Sequence, residues 1–177
     1  MPPTPTLRLD RLAPGSETRL RQIRLAALHQ APEAFGSTHA ETAARPPESW
    51  VAQVRDLPTW VAVLGGEDVG MVRCVPDPRE VTLISLWVAP VGRGQGVGDA
   101  LVGAVLDHAR ERGATAVTLS VKASNGPAMR LYARHGFVLD ERPADEGCEQ
   151  RMTVGVTAGG SARSPRLRTP ADSQHSL

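Results

Sequence analysis

The sequence predicts one α/β domain built on a mixed, mostly antiparallel sheet with flanking helices. Three observations carry that prediction. Apolar, β-branched runs recur at residues 59–64, 69–75 and 81–89, the composition of strands. An amphipathic stretch at 97–112 then separates the third run from another at 115–121. A strand, helix and strand in that order require a parallel, right-handed crossover. The rest reads as hairpins, so parallel and antiparallel pairing coexist in one sheet.

Taken in order, the chain opens with a short strand at 6–10, where Leu7 and Leu9 alternate with polar residues. Pro14-Gly15-Ser16 is a start signal for a helix over 15–30, with Leu20, Ile23, Ala27 and Leu28 at helical spacing. Pro32, Gly36, Pro46 and Pro47 break the next stretch into a bent loop with one short helix near 38–44. Pro47 suits a first helical turn, and a helix follows to about Arg55. The runs at 59–64 and 69–75 flank Gly65-Gly66-Glu67-Asp68, a hairpin signal. Residues 81–89, VTLISLWVA, are almost continuously apolar, the pattern of a strand buried on both faces.

Val97, Leu101, Val105 and Ala109 recur at i, i+4, with Val102 and Leu106 widening the stripe. Arg110 and Arg112 suit the last turn of that helix, and Gly113 suits its stop. A strand at 115–121, a short helix at 127–135 after Asn125, and closing strands at 137–142 and 149–155 complete the domain. The domain is expected to span 6–156. Residues 157–177 are polar, rich in Gly, Pro, Ser and Arg, and expected to be a disordered tail.

Composition narrows the function. Of 177 residues 41% are hydrophobic, so the chain can bury a core. A net charge of +1 disfavours a nucleic-acid partner. No apolar run approaches the ~18 residues of a membrane span, and the start MPPTPTLRLDRL has no apolar signal region. Cys74 and Cys148 make no disulfide framework and no zinc pattern, so no metal is expected and a reducing, cytoplasmic setting is. Lys122 is the only lysine, which we read as compositional bias.

The most informative stretch is Arg93-Gly94-Gln95-Gly96-Val97-Gly98, which follows a strand and opens a helix. Glycines stand at every second position from Gly92 to Gly98. Such a loop lets backbone N–H groups approach an anion, and the helix behind it adds its positive end. A phosphate or pyrophosphate is the natural ligand, with Arg93 as an added contact. A Walker loop is excluded, because no Lys is near. The dinucleotide pattern GxGxxG is excluded too: the sixth position is Val97 counted from Gly92 and Asp99 counted from Gly94.

Arg93-x-x-Gly96-x-Gly98 resembles the [QR]xxGx[GA] motif of the GNAT N-acetyltransferase superfamily. The resemblance continues on both sides. Leu86-Trp87-Val88-Ala89-Pro90 is similar to the strand end that precedes that motif. Asn125-Gly126-Pro127-Ala128-Met129-Arg130-Leu131-Tyr132 is similar to N-x-x-A-x-x-L-Y, and Gly136-Phe137 to its closing G-F. Together these cover about a third of the chain. The resemblance implies the GNAT fold, in which a central pair of parallel strands splays apart, here 81–89 and 115–121. It implies acetyl-CoA as cosubstrate, with pantetheine between the splayed strands against Leu86, Trp87 and Val88. The pyrophosphate would then meet Gly94, Gln95, Gly96, Val97, Gly98 and Asp99. It implies direct attack by an amine on the thioester, the Val88 N–H as oxyanion donor and Tyr132 as general acid. Asn125 would cap the short helix and contact the cofactor.

The resemblance leaves the general base open. Where related enzymes carry Glu, this chain has Ser120, and 81–89 holds only Ser85 with Glu80 just outside. Glu33, His39 and Glu41 lie where the family builds its acceptor wall, and Ser85 or Ser120 could hold a relay water. Phe35, Trp50 and Trp60 are candidates for an apolar pocket, with core packing favoured for Trp60. The acceptor is expected to be a small-molecule amine or a peptide N-terminus, with no membrane partner, and the family carries an expectation of a homodimer. Two alternatives stay open: a non-catalytic CoA-binding domain, and transfer of a different acyl group.

Overall fold

The computed structural model describes residues 6–142 and 149–157. The expected tail lies outside them, apart from residue 157. The chain runs β1 (Leu7–Arg11), α1 (Glu17–Gln30), a 3-10 turn (Pro32–Ala34), α2 (His39–Ala43), α3 (Pro47–Asp56), β2 (Thr59–Leu64), β3 (Glu67–Val75) and β4 (Glu80–Val88). A second 3-10 turn (Pro90–Gly92) leads to α4 (Val97–Glu111), β5 (Ala116–Lys122), α5 (Gly126–Arg134), β6 (Val138–Leu139) and β7 (Glu149–Gly155). The strands form one sheet in the order β1-β2-β3-β4-β5-β7-β6. Every neighbouring pair is antiparallel except β4 and β5, which the α4 crossover joins in parallel.

Local chemistry explains most boundaries. Gly65 and Gly66 both have positive φ, 60° and 91°, as a tight two-residue hairpin turn demands. The hairpin is therefore tighter than the four-residue turn expected, and Glu67 and Asp68 already belong to β3. Thr38 and Glu41 form a reciprocal capping box at the start of α2. At α1 the expected Ser16 makes no side-chain cap; Glu17 instead accepts from the Gly15 N–H at 3.0 Å. Asn125 Oδ1 accepts from the Ala128 N–H at 3.2 Å and caps α5.

The core lies on both faces of the sheet. On one face α4 buries Val97, Leu101, Val102, Val105 and Leu106. Each such side chain contributes about 1.5–3 kcal/mol relative to exposure. Gly70 on β3 is what allows that closeness: a Cβ there would lie 3.0 Å from Val97 Cγ1 and 3.1 Å from Leu101 Cδ1. On the other face lie α1 and α3; Arg73, three residues after Gly70 and so pointing the opposite way, reaches Gln53 of α3. Trp50 and Trp60 are both core residues, 3% and 8% exposed.

Two expectations change. β4 is not buried on both faces: Val81, Leu83 and Trp87 are buried, while Ile84, Ser85, Leu86 and Val88 are half-buried, because one side of the strand opens onto a cleft. The closing strand expected at 137–142 shrinks to Val138–Leu139. Phe137 turns into the core beside Tyr132, and Asp140 turns to Arg142 and Thr153. The connection between the two expected closing strands, residues 143–148, lies outside the described residues.

Candidate active site

The site is made by a strand pair that stops pairing. β4 and β5 are in register only from Glu80–Ala116 to Thr82–Thr118. Beyond Thr82 the two strands separate. A bulge on β4 starts the divergence: Met71 faces Trp87 and Arg73 faces Ile84, so Ser85 and Leu86 together oppose Val72. Ser85 adopts a left-handed φ of 56°, costly for a residue with a Cβ.

Past the bulge, the Ala89 N–H donates to Val69 O at 2.8 Å, toward β3. Backbone groups alternate sides along a strand. Val88 and Leu86 therefore turn their N–H and C=O groups away from β3, into the gap before β5. The Val88 carbonyl accepts from Arg93 Nε at 3.3 Å, which folds the Arg93 side chain back along the cleft.

The gap is a cleft with two arms. The wide arm, about 670 Å³, is walled by Leu86, Trp87 and Val88, by Arg93, Gly94, Gly96, Val97, Gly98 and Asp99, and by Asn125. Gly94 and Gly96 have φ of 71° and 75°. That backbone path brings the loop to the start of α4, whose first N–H groups have no intrahelical partner. Gly98 answers a different need: a Cβ there would lie 3.0 Å from Leu131 Cδ2, so Gly98 lets α4 approach α5. Gln95 is not among the lining residues; its amide donates to Val91 O at 2.6 Å. The Asp99 carboxylate accepts from Arg134 Nη2 at 3.0 Å and lies 3.0 Å from His135 Nε2. Arg134 first, and His135 with it, hold that carboxyl below its usual range.

The narrow arm, about 120 Å³, continues past Leu86 and Asn125 to Tyr132. Tyr132 is 6% exposed, and burial pushes its phenol well above the ordinary value, so the hydroxyl stays protonated. Phe35, Ser85, Ser120, Lys122 and Glu149 also wall this arm. Lys122 Nζ donates to the Glu33 carbonyl and so ties the first 3-10 turn to β5 across the cleft.

The sequence-derived carboxylates fare unequally. Glu33 lines the wide arm, whereas Glu41 is used in the α2 cap and His39 packs edge-on to His29. Glu80 belongs to the paired end of β4, bound to Arg142 and Arg151. Glu149 and Arg73 were not singled out by sequence reasoning. Glu149 opens the strand expected at 149–155, but its place opposite Lys122 follows only from the pairing of β5 with β7. Among the described residues no group of three His, Cys, Asp or Glu could hold a metal. No helix among them is long and apolar enough to cross a membrane.

The family model for the acetyltransferase (GNAT) family matches residues 23–137. The chain belongs to the GNAT family. The matched region takes in the splayed pair, the glycine loop and Tyr132. N-acetyltransferase 8F1 of Rattus norvegicus is 40% identical over 84 residues, 44% of this chain and 38% of that protein. The chain thus spans well under half the length of that relative. Among solved structures, a GNAT-family acetyltransferase from Streptococcus pneumoniae superposes with a TM-score of 0.70 at 18% identity, over 85% of this chain and 99% of that one. The PaiA N-acetyltransferase of Thermoplasma acidophilum, solved in complex with coenzyme A, gives 0.67 at 14% identity, over 85% of this chain and 99% of that one. This GNAT chain therefore shares the fold as well as the family motifs.

Proposed function

We propose that this GNAT protein is an acetyl-CoA-dependent N-acetyltransferase acting on a primary amine. The observation that carries the reading is the cleft itself: a glycine loop at a helix start, opening through splayed strands onto a buried, protonated phenol. The residues fit the cosubstrate. Leu86 and Val88 offer backbone groups that a pantetheine amide can satisfy. Gly94, Gly96 and the first turn of α4 suit a pyrophosphate, with Arg93 beside them.

Acetyl-CoA supplies an activated thioester carbonyl, to which the amine adds as the CoA thiol departs. The Val88 N–H faces the gap and is the fixed donor for the charge developing on that carbonyl oxygen. A donor of this kind is worth roughly 2.7–4 kcal/mol of barrier. Tyr132 gives its proton to the leaving sulfur, which its elevated pKa permits at neutral pH. Glu149, sharing the narrow arm with Tyr132, Ser85 and Ser120, is the carboxylate placed to take the proton from the incoming ammonium, directly or through a hydroxyl-held water. The presence of Tyr132 favours catalysis over a CoA-binding domain without activity. A homodimer is part of the same reading, supported by the exposed apolar residues Val138 and Leu139 on edge strand β6.

The test is thiol release from acetyl-CoA with a panel of primary amines, each product checked by mass for an added acetyl group. Acetylation of at least one amine is expected. Thiol release with none of them, while CoA still binds, would favour the non-catalytic reading.

A further inference from the structure

One nucleophile in the cleft is left unused by the acetyl-transfer reading. Lys122 is the only lysine in a chain with 20 basic Lys and Arg residues. Composition accounts for the scarcity of lysine, not for where this one stands. It is the last residue of β5, beyond Thr118, where the strand parts from β4. It is exposed, and it shares a face of β5 with Ser120, two residues before it. Both wall the narrow arm, together with Tyr132, Ser85 and Glu149. The Lys122 amine donates to the Glu33 carbonyl, and Glu33 lines the wide arm. The only ε-amine of the chain is therefore tied across the cleft where the two arms meet.

Its neighbours supply what an amine needs to react. Glu149 stands opposite Lys122 in the β5–β7 pair and shares the wall of the arm. A carboxylate so placed can take the ammonium proton. An arginine here would carry the same charge but no nucleophile, because a guanidinium does not deprotonate in proteins. Leu86, Asn125 and Ala128 line both arms, so a thioester seated against Leu86 opens onto the space that Lys122 bounds. An amine held beside a bound thioester gains from proximity, with effective molarities of about 10⁵–10⁸ M in well-oriented cases.

We propose that Lys122 is acetylated in cis by the protein's own bound acetyl-CoA when no acceptor fills the narrow arm. This rests on the acetyl-transfer reading above and adds a modification site to it. Lys122 Nζ gives one proton to Glu149 and adds to the thioester carbonyl carbon. The C–S bond breaks, and the CoA sulfur leaves as the thiol with the Tyr132 proton. The second amine proton replaces the one Tyr132 gave, and Glu149 releases its proton to solvent. The product is an uncharged amide with one N–H left for the Glu33 carbonyl. It sets an acetyl group in an arm of only about 120 Å³, so an incoming acceptor is excluded. Acetylation of Lys122 thus closes the acceptor side of the cleft while the wide arm stays open.

The experiment incubates wild-type protein with acetyl-CoA and no added amine, and follows intact and peptide masses over time. One added acetyl group on Lys122 is expected. Its rate constant is expected to stay the same over a tenfold range of protein concentration, as a step in cis requires. Excess CoA, which occupies the cleft, is expected to slow it tenfold or more. Lys122→Arg keeps a donor for the Glu33 carbonyl and is expected to lose that acetyl group. Three results each overturn the proposal: an unmodified Lys122, a rate constant that rises with protein concentration, or labelling that excess CoA leaves undiminished. In each case, acetylation of an added amine by the same protein leaves the acetyl-transfer reading standing. Failure of wild-type protein to bind acetyl-CoA overturns both.

Discussion

Tyr132 is the only tyrosine in the chain, and burial keeps it in the form an acid needs. Tyr132→Phe keeps the ring packed on Phe137, centroids 5.8 Å apart, and removes only the proton donor. Turnover is expected to fall by about 10²–10⁴ with CoA affinity retained. Unchanged turnover would remove Tyr132 from the chemistry. Glu149→Gln tests the other proton. It is expected to lower kcat/KM at pH 7 and to lose less at a pH above the amine's own pKa, where the acceptor needs no base. A loss equal at every pH would contradict that role. Tyr132 and Asn125 were legible in the sequence because they sit inside a contiguous motif. Glu149 was not, because it reaches the cleft only after β7 pairs with β5, and Arg73 meets Ser85 of the cleft wall only after β3 pairs with β4; no local spacing announces such juxtapositions.

The same division holds among the elements. The 97–112 helix and the parallel crossover could be read from periodicity, since α4 has a single apolar face. The length of β6 could not be read, because Phe137 joins the core and Asp140 is taken by side-chain partners, both tertiary effects. The bulge at Ser85 was equally silent: a left-handed serine inside an apolar run has no sequence signature, yet it turns Leu86 and Val88 toward the gap. Gly98 shows how packing and binding share one position. Gly98→Glu presses a side chain on Leu131 and sets a carboxylate at the loop. CoA affinity is expected to drop more than about a hundredfold, about 2.7 kcal/mol by calorimetric titration. Gly98→Ala, which meets only the tip of Leu131, is expected to keep most of the binding. Undiminished binding by Gly98→Glu would show that this loop does not hold the phosphates.

For the whole molecule, the sheet is a rigid frame with one deliberate opening, between β4 and β5. The closing end of that frame is held by charge. Asp140 accepts from Arg142 Nη2 at 2.6 Å and from Thr153 Oγ1 at 2.7 Å, and these hold its carboxyl well below the usual range. A carboxyl depressed in the folded state stabilises the fold above its unfolded pKa of about 3.9, and that stability is lost as pH falls toward the folded pKa. Urea unfolding is therefore expected to show stability declining from about pH 5 downward. Asp140→Asn is expected to flatten that decline and to be less stable than wild type at pH 7. An unchanged pH profile would show that the pairing of β6 and β7 does not depend on this charge. The central claim concerns the opening in the frame, and calorimetric titration with CoA, acetyl-CoA and ATP in parallel tests it most directly. Selective binding of CoA and acetyl-CoA, at micromolar concentration, is the expected result. No binding of either, or binding of ATP as tight as that of CoA, would contradict it.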